Sequence, residues 1–337
     1  MTQTVKEFFK KKEFGIIMII LFLSIVLTIV SSAFLKVDNI LDFLRSNAVL
    51  GIMALGMLPV LISGGIDMSV SATIALCAVI LGKFLVAFPN TNLVVVVVLT
   101  MLVGAGVGLM NGLIITKFKI PPIVATLGTM TIINGFVLLS TGGTWITGLP
   151  EWWKQFGSFQ IGKFQTDSGS VTGISTQLLL FVGAILLTGF VLKYTLIGRG
   201  IYAVGGSESS AIRVGYNVNK IRLFIYIYSG MMVGLATIAH ISIVGQVDPN
   251  TYNGYELDVI SIVVLGGAST MGGVGTVFGT VLGLILMAVL KNGLILAHIP
   301  TYWQKVVMGL VILVAISIDV INRKREQEKL VRVDIED

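Results

Sequence analysis

The feature that most limits this chain is a series of apolar runs that fills it almost from end to end. Ten stretches carry almost no charge: 14–35, 46–63, 68–88, 92–116, 122–140, 174–194, 222–244, 257–270, 274–291 and 303–321. A helix crosses the roughly 30 Å hydrocarbon layer with about 20 apolar residues. Only helices and closed barrels satisfy their backbone polar groups there. Barrel strands alternate apolar and polar residues, whereas these runs are continuous. The expectation is an all-α, polytopic transmembrane bundle of about ten spans. A soluble alternative fails on charge: 12% of the residues are charged, about half the roughly 25% of an average soluble domain. Runs 46–63 and 257–270 are short and interrupted by Pro59 and by Gly266-Gly267. Eight or eleven spans remain compatible if a short run re-enters.

Glycine sharpens the picture. The chain holds 39 of them, and small residues let helix backbones approach closely in a bilayer. The single Cys77 excludes an intramolecular disulfide and any multi-cysteine metal site.

Charge placement supplies an orientation. With the N-terminus in the cytoplasm and ten alternating spans, most of the 23 basic residues fall on inner segments, as the positive-inside bias requires. The net charge of +6 therefore marks a membrane face rather than a nucleic-acid partner. Both termini are expected inside, as segments 1–13 and 322–337 flanking a membrane domain over 14–321, with a cytoplasmic loop at 195–221. Lys10-Lys11-Lys12 before the apolar Ile16–Val30 run resembles a secretory signal. The run is long for one and more spans follow, so it reads as an uncleaved anchor. Asp319 beside Arg323 and Arg325 reads as an interfacial charge pair.

Several kinds of chemistry are missing. No Gly-x-x-x-x-Gly-Lys-Ser/Thr phosphate loop is present, and neither His240 nor His298 sits in a metal-ligand spacing. Ionisable residues deep in the spans, which ion-coupled transporters and pumps use, are scarce. These absences disfavour a membrane enzyme and an ion-coupled secondary transporter, the main alternative. They suit a path for a small neutral solute, and the tentative path or gate set is Gly64, Gly65, Asp67, Asn111, Thr126, Asn134, Gly266 and Gly267. Asp67 also fits as the cap of a helix starting near Met68. Asn111 and Asn134 also fit interhelical hydrogen bonding. Leu61–Asp67 and Val264–Ser269 echo each other weakly, as internal repeats in transporters do.

The segment 195–221 is the most informative polar stretch. Ser207 is a good N-cap and Gly215 a good helix end, which predicts a short amphipathic helix over 208–214. Outside, Trp152 and Trp153 fit an interfacial belt or a docking surface. Glu256 and Asp258 fit either solvated charges or contacts to a docking protein.

Five motifs in order then carry a family resemblance over about 45–321. They are Gly64-Gly65-Ile66-Asp67-Met68-Ser69-Val70, the run Pro121–Met130, the 198–218 loop with Ala203-Val204-Gly205-Gly206, then Gly254–Ile260, and Val264-Leu265-Gly266-Gly267 continuing to Gly272-Gly273. The chain resembles the membrane permease subunit of ribose-type ATP-binding-cassette importers, related to the branched-chain amino-acid permeases. The resemblance implies a bacterial inner-membrane permease that imports a small neutral solute of monosaccharide type. It would work as two permease chains, identical or sister, with a cytoplasmic ATPase that carries ATP and magnesium and an extracytoplasmic solute-binding protein that delivers the ligand. The chain itself would be no enzyme and would hold no cofactor. It further implies that the loop seats in the ATPase through Gly206, Glu208, Ser209, Ser210, Ala211, Arg213, Gly215 and Asn217. The family pattern Glu-Ala-Ala-x-x-x-Gly meets Ser209-Ser210-Ala211 and Gly215 here, with Glu208 one residue early. Trp152, Trp153, Glu256 and Asp258 would face the binding protein.

Overall fold

The computed structural model describes residues 12–311 except 167, 168 and 170, and beyond them only 313, 314, 317 and 321. The Asp319 charge pair, residues 1–11 and the tail 322–337 lie outside the described residues. Five helices open the chain: α1 (Lys12–Val30), α2 (Val37–Ile62), α3 (Val70–Ala87), α4 (Leu93–Lys117) and α5 (Pro122–Thr141). A short helix, α6 (Glu151–Ser158), and an antiparallel hairpin of β1 (Gln160–Gln165) and β2 (Val171–Ser175) follow. Then come α7 (Thr176–Tyr194), α8 (Leu196–Gly206), α9 (Glu208–Arg213), α10 (Val218–Val244), α11 (Tyr255–Leu265) and α12 (Val277–Leu296). A further helix starts at 301.

Eight of these helices, α1 to α5 with α7, α10 and α12, are long and apolar enough to cross a membrane. The molecule is thus an all-α polytopic bundle. Two boundaries differ from the sequence reading. The 46–63 run is the inner part of a 26-residue helix that begins at Val37. Its first turns carry Asp38, Asn39, Asp42 and Arg45, so hydropathy hides them. Those polar groups tie the helix to its surroundings: Asn39 and Asn292 exchange two amide hydrogen bonds, at 3.1 and 3.0 Å, and Arg45 donates to the Gly157 carbonyl at 3.2 Å. Pro59 sits inside α2 without ending it. The 257–270 run holds only an 11-residue helix, α11. At 1.5 Å per residue that is about 16 Å, half the hydrocarbon thickness.

α2 is the central post, buried continuously from Ala48 to Ile62. The tightest helix pair is α4 with α10. Gly104 and Gly108 of α4 face Gly230 and Tyr226 of α10, backbone against backbone, and Gly112 faces Leu223. A methyl group at Gly104 or Gly108 would overlap a carbonyl oxygen of the partner helix. Without a hydrophobic driving force between helices in lipid, such close approach supplies the dispersion that holds them together.

Candidate functional site: a glycine junction beneath a buried carboxylate

Three helices stop in the same way. At the end of α2, Gly64 has φ +81° and donates to the Leu61 carbonyl at 2.9 Å, and Gly65 donates to Val60 at 3.0 Å. At the end of α11, Gly267 has φ +88° and donates to Val264 at 2.8 Å, and Ala268 donates to Val263 at 3.2 Å. At the end of α9, Gly215 has φ +92° and donates to Ile212 at 3.0 Å, and Tyr216 donates to Ala211 at 3.0 Å. Each is a Schellman stop, whose left-handed residue glycine adopts without a steric penalty. The echo between 61–67 and 264–269 is therefore a shared helix-stop motif.

Two of these stops meet at one place. The Gly273 N–H donates to the Ile62 carbonyl at 2.7 Å, joining the 266–276 connection to the end of α2. Gly205, in the last turn of α8, closes the third side: a methyl there would overlap the Ile62 carbonyl oxygen and lie 2.6 Å from the Gly273 nitrogen. A methyl on Gly272 would meet the Gly205 oxygen at 2.8 Å and the Gly64 nitrogen at 2.9 Å. The junction brings together Gly64 and Gly65, the connection just beyond Gly266 and Gly267, and the segment that leads into α9.

Next to the junction lies a buried carboxylate. Asp67 is 3% exposed and accepts three hydrogen bonds: from the Ser69 N–H at 3.0 Å, the Ser69 hydroxyl at 2.6 Å and the Ser229 hydroxyl at 3.2 Å. The Asn111 amide donates to Ser69 Oγ at 2.8 Å, and Thr126 Oγ1 accepts the Met68 N–H at 3.0 Å. Burial pushes the Asp67 carboxyl above the ordinary carboxylate range, and the bonds from Ser69 and Ser229 oppose that shift. Asp67, Asn111 and Thr126 thus pin the α2–α3 connection to α4, α5 and α10. Asn134 does not join them. It sits half-buried on α5, and its side chain makes no hydrogen bond among the described residues. Replacing Asp67 with alanine strands two buried hydroxyls. The expected loss is about 1–3 kcal/mol, read as a lower Tm of the purified protein, with Asp67→Asn falling in between.

The α9 segment forms as its residues dictate. Ser207 Oγ accepts the Ser210 N–H at 3.3 Å, and Asn217 Oδ1 accepts the Lys220 N–H at 3.0 Å, capping α9 and α10. Ala211 is buried, whereas Gly206, Ser209, Ser210, Arg213 and Gly215 are exposed. Ile212 and Val214 also stand in the open, at 57% and 79% exposure. Glu208 pairs with Arg222 of α10 at 2.6 Å. Its carboxylate therefore has a partner within the chain.

The four residues expected to face a docking protein divide. Trp153 is fully enclosed, so it seats α6 rather than offering surface. Trp152 packs edge-on against it and donates to the Pro89 carbonyl at 2.7 Å. Asp258 forms an ion pair with Lys291 at 2.7 Å, bracing α11 on α12, and Glu256 is half-buried beside it. Gly205, Gly272, Gly273, Ser69, Ser229 and Arg222 also belong to the site, which their sequence positions alone do not reveal. The double glycines at 205–206 and 272–273 were the available signal.

Residues 39–316 match the family described as branched-chain amino acid transport system / permease component. The chain is 33% identical to the ribose import permease protein of Escherichia coli K12 over 331 residues, 96% of this chain and 99% of that protein. It is 36% identical to the ribose import permease protein of Bacillus subtilis over 297 residues, 88% of this chain and 89% of that protein. It is 34% identical to the autoinducer 2 import system permease protein of an Enterobacter species over 315 residues, 93% of this chain and 88% of that protein. No solved structure matches the chain.

Proposed function

This chain belongs to the branched-chain amino acid transport system permease component family, and from that membership we propose that it is the membrane subunit of an ATP-binding-cassette importer for a small neutral solute of monosaccharide type. The relatives named for ribose and autoinducer 2 import support the solute class. In this reading a separate cytoplasmic ATPase supplies the energy and a solute-binding protein delivers the ligand. A second permease chain completes the path in the bacterial inner membrane. The chain crosses about ten times with both termini inside: α11 with its glycine connection and the helix starting at 301 supply the last two crossings beyond the eight long helices.

The observation that carries the reading is the glycine junction. The segment that would seat in the ATPase follows directly on the last turn of α8, where Gly205 lies in backbone contact with the end of α2 and with the 266–276 connection. Movement of α9 is thereby passed to the α2–α3 connection and to α11 without an intervening side chain. Exposed Ile212 and Val214 give α9 an apolar surface to bury in a partner groove. Asn134 on the exposed side of α5 is where a second permease chain or the aqueous path would cover a polar group that is costly to leave in lipid.

A charge-swap series tests the role of Glu208. The Glu208–Arg222 pair is partly exposed and contributes about 0.2–1 kcal/mol, so Glu208→Lys folds but loosens α9 from α10 and lowers ATP-driven uptake. The double variant Glu208→Lys with Arg222→Glu regains uptake if the pair transmits movement within the chain. Failure of the double variant to recover would assign Glu208 to direct contact with the ATPase instead.

A further inference from the structure

A cavity of about 440 Å³ opens between the α9 segment and the glycine junction. Its walls come from α4, α5, α9 and α10 and from the α2–α3 and α4–α5 connections. Among its lining side chains the Ser63 and Thr116 hydroxyls donate to the Val60 and Gly112 carbonyls, which leaves Lys119, Arg222, Asn219 and Tyr226 as donors to a guest.

Two features are unexplained by packing. Tyr226 is 1% exposed, and its buried hydroxyl has no hydrogen-bond partner. Tyr226 lines the cavity, and a methyl on Gly65, another lining residue, would come within 2.8 Å of its hydroxyl. Leaving a hydroxyl buried and unpaired is costly, and a group entering the cavity would supply its partner. Lys119 is one of only two described non-glycine residues with positive φ, at +56°. Such backbone strain persists where the surroundings impose it and gathers at functional sites. Its ammonium has no ion-pair partner among the described residues.

The balance of the lining is donor-rich. Glu208 is the one carboxylate, and it is already engaged by Arg222. The guanidinium keeps further N–H groups for a second acceptor, and Asn219 adds an amide. Pro121 and Pro122 bring in the start of the 20-residue helix α5, whose N-terminal end carries a partial positive charge. A neutral sugar hydroxyl both donates and accepts and would leave these donors half-used. A phosphate group only accepts, carries negative charge and matches paired Arg and Lys donors.

We propose that this cavity is a binding site for a phosphate ester, with Lys119, Arg222 and the Tyr226 hydroxyl as its ligands. The same chemistry can come from a phosphorylated sugar in the cytosol or from a lipid headgroup. Gly64 and Gly65 of the path or gate set also line this cavity, and its occupancy is measured without transport.

The test uses the full chain with its ATPase in nanodiscs of phosphatidylcholine, titrated with ribose 5-phosphate, inorganic phosphate and free ribose by calorimetry. Saturable binding of ribose 5-phosphate is expected, displaced by inorganic phosphate and not by ribose. Lys119→Gln and Tyr226→Phe each weaken it at least tenfold, while gel filtration shows both variants assembled. If the soluble phosphates do not bind but nanodiscs containing phosphatidylglycerol raise the Tm in a Lys119-dependent way, the ligand is a lipid headgroup at the same site. The proposal is overturned if neither phosphate source binds, or if both variants bind as the parent does.

Discussion

Gly108→Val is expected to cost more stability than any surface or loop change in this protein. The α4–α10 pair is its most extensive helix contact. A side chain at Gly108 overlaps the Tyr226 carbonyl oxygen and lies 2.9 Å from the Ile227 Cα. Ordinary carbon contacts need about 3.5–4.0 Å, so the two helices must part by more than about 1 Å. The gap forfeits dispersion along the whole seam and pulls Ser229 and Tyr226 away from the Asp67 connection. Overpacking typically costs about 1–3 kcal/mol, and backbone-to-backbone overlap belongs at or above the top of that range. Gly106 is the control, because a methyl there meets nothing within 4 Å on the same helix. Thermal unfolding of the purified variants should show a large drop in Tm for Gly108→Val and almost none for Gly106→Val. Equal drops would mean that helix propensity, rather than close approach, sets the stability.

Gly205→Ala is expected to separate folding from transport. The added methyl overlaps the Ile62 carbonyl oxygen and crowds the Gly273 nitrogen. It therefore wedges α8 away from the end of α2 and the 266–276 connection. The α4–α10 seam is untouched, so the bundle should still assemble. The expected result is at least a tenfold loss of uptake, about 1.4 kcal/mol or more in the rate, with ATP hydrolysis by the partner persisting. Gly206→Ala is the paired control. Its methyl meets nothing within 4 Å, and uptake should stay close to the parent value. Loss of transport in both variants would place the effect in flexibility of the loop rather than in the junction.

The contrast between those two glycines measures what was legible in the sequence. Local rules read well. Ser207 as a cap and Gly215 as a helix end follow from side-chain and backbone chemistry within a few residues, and the structure places α9 at Glu208–Arg213. The continuous apolar runs imply the bundle, and the glycine content implies its close packing. Contacts between segments distant in the chain were not legible. Of the double glycine at 205–206, the family resemblance points to Gly206, whereas Gly205 is the one pressed against Ile62. Nothing local tells the two apart. Glu208 reads as a contact to the ATPase until Arg222, fourteen positions on, is seen beside it. Trp153 reads as interfacial because it is aromatic at a span edge, and only tertiary packing shows it enclosed. The first turns of α2 were missed for another reason: their polar residues are paired across the fold, by Asn292 and the Gly157 carbonyl among others, so hydropathy undercounts the helix.

The central claim is that this chain moves its solute on energy supplied by another chain. Uptake into proteoliposomes tests it most directly. The chain is reconstituted with its ATPase, ATP is placed on the side that α9 faces, and the solute-binding protein and labelled sugar are placed on the other. Uptake is expected only when ATP, the ATPase and the binding protein are all present, and an imposed proton or sodium gradient should add nothing. Accumulation by the chain alone under an ion gradient, without ATP, would contradict the account.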